Sequence, residues 1–352
     1  MIFKRFLFAA ATLTVCLLAV LLLIYEPYAS EAVRVTLTLF IRRVLPPLFP
    51  YMILSRLIVS MDLFAPFQRI LRTDRWFRLP SGASSVILTG LLCGCPVGAA
   101  GTCTLYERGG ISRPAAGRLA ALSSNASPAF LLGTAAALWN SKIYGGFLLA
   151  VQTVSAVLIA FFLARLLTDR NTSSPDCPDT PESVPVRNGR FSEELCRAIS
   201  DSASACLTVC AYIVCFRVLA VLVSRFLSWP SAAVLFEFSS GCADGASVGG
   251  RMGMFMTGFA VGSAGLSVMT QNYNFLGRYG IPMSALWITK GIQGLLCGAA
   301  SAVFFTVCPA EPSQTAGTAV LSGGMVSVNT VVLMLSVLLL LSKFHKIAAR
   351  RI

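Results

Sequence analysis

One histidine and 15 carboxylates are nearly all the proton-transfer groups this 352-residue chain carries, and the histidine, His345, lies in the C-terminal tail. Ser and Cys nucleophiles therefore lack their usual general base, and the few carboxylates fall mostly near segment ends. No catalytic residue is expected, and the chain is not expected to be an enzyme. The 12 cysteines are scattered, mostly within apolar runs, without a CxxC or a Cys/His ligand set. Cys206 and Cys210 share a helix face, where packing suits them better than metal ligation. Neither a metal nor a cofactor is implied.

Charge is also scarce, at 12% of residues, where a soluble domain carries about a quarter. With 56% hydrophobic residues and a mean hydropathy of +0.75, the composition is that of a polytopic membrane protein whose first partner is the lipid bilayer. A net charge of +13 is compatible with nucleic-acid binding. The Arg and Lys residues, however, cluster in short segments between apolar spans, which is how cytoplasmic loops orient a membrane protein. No nucleic-acid partner is expected.

What the chain does have is apolar stretches interrupted by turn residues. Between Leu91 and Phe130 the run breaks at Gly94-Cys95-Pro96-Val97-Gly98 and again at Ser123-Ser124-Asn125-Ala126-Ser127-Pro128. In hydrocarbon every backbone N–H and C=O must be paired, so such breaks persist only where protein or a wet cavity covers them. Arg69, Arg72, Arg75 and Arg78 precede the segment 82–106, and Arg108, Arg113 and Arg118 follow it. Both groups fit a cytoplasmic position, which predicts a re-entrant hairpin with its tip at Gly94 to Gly98. An ordinary span kinked at Pro96 is the alternative.

In chain order, residues 6–25 form a first span, retained unless it is a cleaved signal peptide. Residues 26–43 then lie outside, partly as an interfacial helix, and 45–61 return. The segment 112–139 crosses outward with its break at Asn125 and Pro128, and 143–167 comes back. The Pro-rich polar stretch 169–194 is a cytoplasmic linker. The second half repeats the plan in the opposite sense: 195–227 crosses; 229–250 carries a short arm broken at Ser239 to Gly245; 252–275 is interrupted at Gly262 to Ser267; 281–308 crosses; and 325–341 returns to a basic tail. The expected organisation is an N-terminal span and outer turn (1–30), a first repeat (31–168), the linker (169–194), a second, inverted repeat (195–308), and an outer loop with a final span and tail (309–352). The fold class is an all-α polytopic membrane protein with two inverted-topology repeats, re-entrant hairpins and broken helices.

Paired breaks at corresponding places point to a midplane substrate site. A half-helix N-terminus offers N–H groups to an anion, and the opposing carbonyls suit a cation. Gly94, Gly98, Gly241, Gly262 and Gly265 permit close backbone approach, with Pro96 shaping the first tip. Asn125, Ser127, Ser239, Ser240, Ser267 and Gln271 offer polar side chains, of which Asn125 and Ser240 are expected to bond the ligand directly. Tight helix packing through small residues is the alternative for each. Glu237 stands apart, because Val234, Leu235, Phe236 and Phe238 suggest membrane depth, where a carboxylate is costly. It is a proton or ligand handle, or else a carboxyl that caps local backbone or pairs with an Arg; Asp244 reads more simply as a cap.

Four of these stretches, Gly94-Cys95-Pro96-Val97-Gly98-Ala99, Ser124-Asn125-Ala126-Ser127-Pro128-Ala129-Phe130, Glu237-Phe238-Ser239-Ser240-Gly241 and Gly265-Leu266-Ser267-Val268 with Gln271, resemble the YlbJ-type sporulation integral membrane proteins of the nucleoside-recognition Gate superfamily. The resemblance runs roughly from Leu45 to Cys308, with Cys95 departing from the family pattern before Pro96. It implies a fold similar to concentrative nucleoside transporters and a role in an endospore-forming bacterium. The function it implies is movement of a small anionic substrate, dipicolinic acid, across the outer forespore membrane. Nucleoside or nucleobase transport, and a non-transporting assembly role, stay open beside it. So do localisation in the cell membrane and assembly as a homo-oligomer.

Overall fold

A computed structural model describes residues 2–61, 73–80, 82–166, 191–227 and 231–313, and the regular elements among them are all helical. Arg69, Arg72, most of the linker and the expected final span at 325–341 lie outside the described residues.

Helix α1 (Ile2–Ile24) turns through 89° into α2 (Glu26–Leu39). Pro27 sits in the first turn of α2, where a missing N–H costs nothing. The expected segment 45–61 is helical but does not start afresh. Instead the π-helical turn Phe40–Val44, closed by Leu45 N–H on the Phe40 carbonyl, carries α2 directly into α3 (Leu45–Ser60). The prolines that suggest a fresh start are absorbed, with Pro50 inside the helix. The apolar part of α3, Leu48–Ile58, is well short of the roughly 20 residues needed to cross a bilayer.

After the single turn Thr73–Phe77 come α4 (Ala83–Cys93) and α5 (Val97–Glu107). Gly94, at φ +79°, ends the first, and Pro96 starts the second. The two helices fold back on one another rather than forming a kinked span. A methyl group placed on Gly82, at the base of α4, would lie 3.1 Å from Leu105 Cδ1, near the end of α5. Beyond the hairpin, α6 (Arg113–Ser123) begins behind Ser112 and Pro114, and its Arg118 guanidinium donates to the Arg78 carbonyl at 3.4 Å. Arg108 likewise donates to the Ser60 carbonyl at 2.8 Å. Arg78 and Arg118, on either side of the hairpin in sequence, thus meet at its base.

Residues 124–127 are non-helical, and the chain resumes at Pro128 through the π-helical turn Phe130–Ala135 and Ala136–Leu138. Then follow α7 (Lys142–Leu166) and α8 (Phe191–Phe226). The turn Ala233–Phe236 leads to α9 (Phe238–Val248), α10 (Gly250–Ser263), α11 (Gly265–Leu276) and α12 (Ser284–Val307). Among the described residues, four helices or helix pairs are long and apolar enough to cross a membrane, and the bent pair at the N-terminus makes up to five.

Helices α10 and α12 approach with almost no side chain between them. A Cβ on Gly258 would sit 2.4 Å from the Cys297 carbonyl oxygen, and one on Gly262 2.5 Å from that of Gln293. Small residues let backbones meet this closely in a medium that offers little hydrophobic drive for helix association. The halves also interlock: Trp139 Nε1 donates to Thr257 Oγ1 at 3.0 Å, and Tyr144 Oη to the Met254 carbonyl at 3.1 Å. Both aromatic rings are fully buried against α10, which satisfies their polar tips without water.

Candidate functional site

Each hairpin tip meets the break in the helix that follows it. In the first half, the Cys95 N–H donates to the Asn125 carbonyl at 2.7 Å. The arms straddle the last residue of α6: a Cβ on Gly90 or Gly98 would lie 2.4 or 2.3 Å from the Ser123 carbonyl oxygen. In the second half, Gly265 at φ +69° stands where a Cβ would be 3.1 Å from Phe238 N and 3.5 Å from Glu237 Cα.

One break is displaced from its expected place, and another is narrower than expected. The second hairpin breaks at Glu237, which is extended (φ −145°, ψ 116°), whereas Ser239 to Gly245 is helical within α9. Its glycines serve packing there, with a Cβ on Gly241 falling 2.6 Å from Val234 Cα and one on Gly245 2.7 Å from the Gly253 carbonyl. The last break is Ala264 alone, in the left-handed region at φ 63°, rather than the whole of Gly262 to Ser267. Gly98, too, already belongs to α5.

A cavity of about 120 Å³ lies between these tips and the helices α3 and α8. Cys95, Ser127, Glu237, Ser239, Ser267 and Gln271 reach its wall, opposite Leu48 and Tyr51. Phe130 and Phe238, one from each half, form an edge-on aromatic pair beside it, with centroids 4.9 Å apart and planes at 60°. Glu237 is 1% exposed and caps α9 with its own carboxylate: Oε1 accepts from Ser239 N at 3.0 Å, and Oε2 from Ser240 N at 2.7 Å and Ser239 Oγ at 2.6 Å. The donors expected to hold a substrate anion at this helix start are therefore already engaged by an internal one. Gln271 Nε2 donates to Ser267 Oγ at 3.1 Å.

The other expected ligand residues stand behind the wall. Gly94 and Pro96 flank Cys95 at the tip, while Gly98, Gly241 and Gly265 face protein backbone. Ser240 contributes its N–H to Glu237. The Asn125 side chain is likewise committed: Nδ2 donates to the Leu122 carbonyl at 2.7 Å, and Oδ1 accepts from Lys290 Nζ at 3.0 Å and Gln293 Nε2 at 3.1 Å.

Lys290, 2% exposed, is the largest surprise of the site. Its ammonium also donates to Gln293 Oε1 at 2.7 Å, and no carboxylate lies within ion-pair distance of it among the described residues. Gln293 Nε2 in turn donates to the Gln152 carbonyl at 2.8 Å. Gln152 clamps the break by exchanging bonds with both backbone groups of Ala126, at 3.2 and 3.0 Å. The cost argument that singles out Glu237 in an apolar run applies equally to Lys290, a solitary cation within Ile281 to Cys308.

A second, more polar cavity of about 320 Å³ is lined by Arg56, Glu107, Asp201 and Arg278. Arg56 pairs with Asp201 at 2.8 Å, and Tyr279 Oη donates to the Glu107 carboxylate. The two cavities follow the same elements: Tyr51 then Arg56 on α3, Cys95 then Ala100 at the first hairpin, Val209 then Asp201 on α8. Between them lies an apolar layer of Met52, Val97 and Cys206, with Cys206 Sγ 3.7 Å from Met52 Sδ.

Helical hairpins and interrupted helices converging on a cavity, within a frame of long apolar helices, define a polytopic α-helical membrane protein. The chain is similar to the sporulation integral membrane protein YlbJ of Bacillus subtilis (strain 168), with 33% identity over 135 residues, covering 36% of this chain and 32% of that protein. The similarity spans about a third of that relative's length. No family model matches the sequence. No solved structure matches it.

Proposed function

We propose that this protein is a transporter of a small planar anion, and that the anion is dipicolinic acid, moved across the outer forespore membrane during sporulation. The observation that carries this reading is the meeting of two hairpin tips and two helix breaks at one cavity. The architecture is then a pair of inverted repeats with re-entrant hairpins, similar to concentrative nucleoside transporters. The end bearing Arg78, Arg108, Arg113, Arg118 and Arg278 is cytoplasmic by the usual charge bias. The polar cavity beside Arg56 and Arg278 is the cytoplasmic vestibule, and the Met52–Val97–Cys206 layer is its gate. Phe130 and Phe238 suit a flat ring.

The aromatic pair, with the neutral hydrogen-bonding groups of Ser127, Ser267 and Gln271, also favours a second reading, transport of a nucleoside or nucleobase. Flux into liposomes and melting of the solubilised protein, each measured with dipicolinate and with uridine, decide between them. Dipicolinate is expected to be taken up and to raise the melting temperature, because a ligand that binds only the folded state stabilises it. A response to uridine alone would favour the nucleoside reading. Flux of neither would leave an assembly role.

A further inference from the structure

We infer that the break between α6 and Pro128 is a cation-binding site whose resident cation is the ammonium of Lys290. Two oxygens, Asn125 Oδ1 and Gln293 Oε1, converge on Lys290 Nζ at 3.0 and 2.7 Å. Their orientation is fixed independently of the lysine. The Asn125 amide nitrogen is bound to the Leu122 carbonyl at 2.7 Å, and the Gln293 amide nitrogen to the Gln152 carbonyl at 2.8 Å. A flipped amide would set N–H groups against Lys290 and a carbonyl against a carbonyl, so both oxygens are held facing the same point. Asn125, Gln293 and Lys290 are each at most 2% exposed, so water does not relieve them. Neutral oxygens alone around a buried positive charge, with no carboxylate within ion-pair distance among the described residues, make the coordination sphere of a monovalent cation rather than half of an ordinary ion pair.

This goes beyond the transport reading by naming an ion. With the ammonium in place, sodium or potassium has no room at this break, and the intact protein needs neither there. Without the ammonium, Gln293 Oε1 loses its donor and Asn125 Oδ1 keeps only that from Gln293 Nε2, a penalty that a free alkali ion can remove.

The test is the melting of the detergent-solubilised full chain in sodium, potassium or choline chloride at matched ionic strength. The parent is expected to melt at the same temperature in all three. Lys290→Ala is expected to melt lower in choline and to gain on the order of 5 °C in saturating sodium or potassium. Lys290→Ser, whose hydroxyl adds one oxygen to the sphere, should respond at lower ion concentration. Folding of Lys290→Ala only in an alkali salt would support the inference as well. A sodium- or potassium-specific shift in the parent overturns it. So does the absence of any such shift in both variants, including failure of both to fold in every salt. No substrate enters these measurements, so a protein that carries neither dipicolinate nor uridine leaves their outcome standing.

Discussion

The backbone N–H of Cys95 donates to the carbonyl of Asn125 at 2.7 Å, which ties the tip of the first hairpin to the break in the helix that follows. This bond is possible only because the hairpin arms come within backbone distance of α6. At Gly98 a methyl group would lie 2.3 Å from the Ser123 carbonyl oxygen, which is backbone and has no rotamer to yield. Gly98→Ala is therefore expected to destabilise the protein by about 1–3 kcal/mol or more, read as a fall in melting temperature. At Gly133, where an added methyl meets nothing within 4 Å, the same change should do little by comparison. Equal effects at the two positions would show that the tip is not packed as described.

Glu237→Gln separates the capping role of this carboxyl from its place on the cavity wall. The carboxylate accepts three bonds, and an amide offers one oxygen to those donors while turning N–H groups toward the others. A loss of roughly 1.5–3 kcal/mol in stability is expected from the charge-assisted bonds. If the ligand is an anion, the folded variant should bind it more tightly, since a negative charge has left the wall. Calorimetric titration with dipicolinate checks this, and weaker binding would mean that Glu237 aids the ligand.

The hairpins, the break at 124–127 and the last break were legible because Gly and Pro punctuate the backbone in ways few other residues do. The displacement of one break to Glu237 was not legible. Ser239, Ser240, Gly241 and Gly245 are poor helix formers by themselves, yet contacts with Val234 and Gly253 require small residues there, and tertiary packing overrides propensity. The continuous helix through Phe40–Val44 was hidden by its prolines. Gln152 and Lys290 gave no pattern at all. Their meaning comes from the partners the fold brings to them, across 26 and 165 residues of chain.

The proposed gate can be tested at Met52. With Met52→Cys in a background whose sole other thiol is Cys206, a short bifunctional thiol reagent should bridge the layer between the cavities, because Cys206 Sγ already lies 3.7 Å from Met52 Sδ. Flux should stop on cross-linking and return on reduction. Full flux in the bridged protein would place the path elsewhere.

Topology has its own measurement. Arg75→Cys and Arg113→Cys, each as a single cysteine, should label from the same face of a sealed vesicle, in keeping with the bond from Arg118 to the Arg78 carbonyl. Labelling from opposite faces would exclude a re-entrant hairpin.

The glycine contact between α10 and α12 also says where this protein is stiff. Gly258 and Gly262 ride against the carbonyls of Cys297 and Gln293, and Gly294 and Gly298 against Ser263 and Phe255 on the return. Two rods meshed like this resist sliding and turning, because a displacement of a fraction of an ångström drives backbone into backbone. They form a stator, to which Lys290 and Gln293 belong by sequence and to which Asn125 is fastened. If the proposed transport moves one part of the protein against another, the place for it is the thioether and thiol surface of α3 and α8, where side chains can change rotamer and the seam is greased rather than toothed.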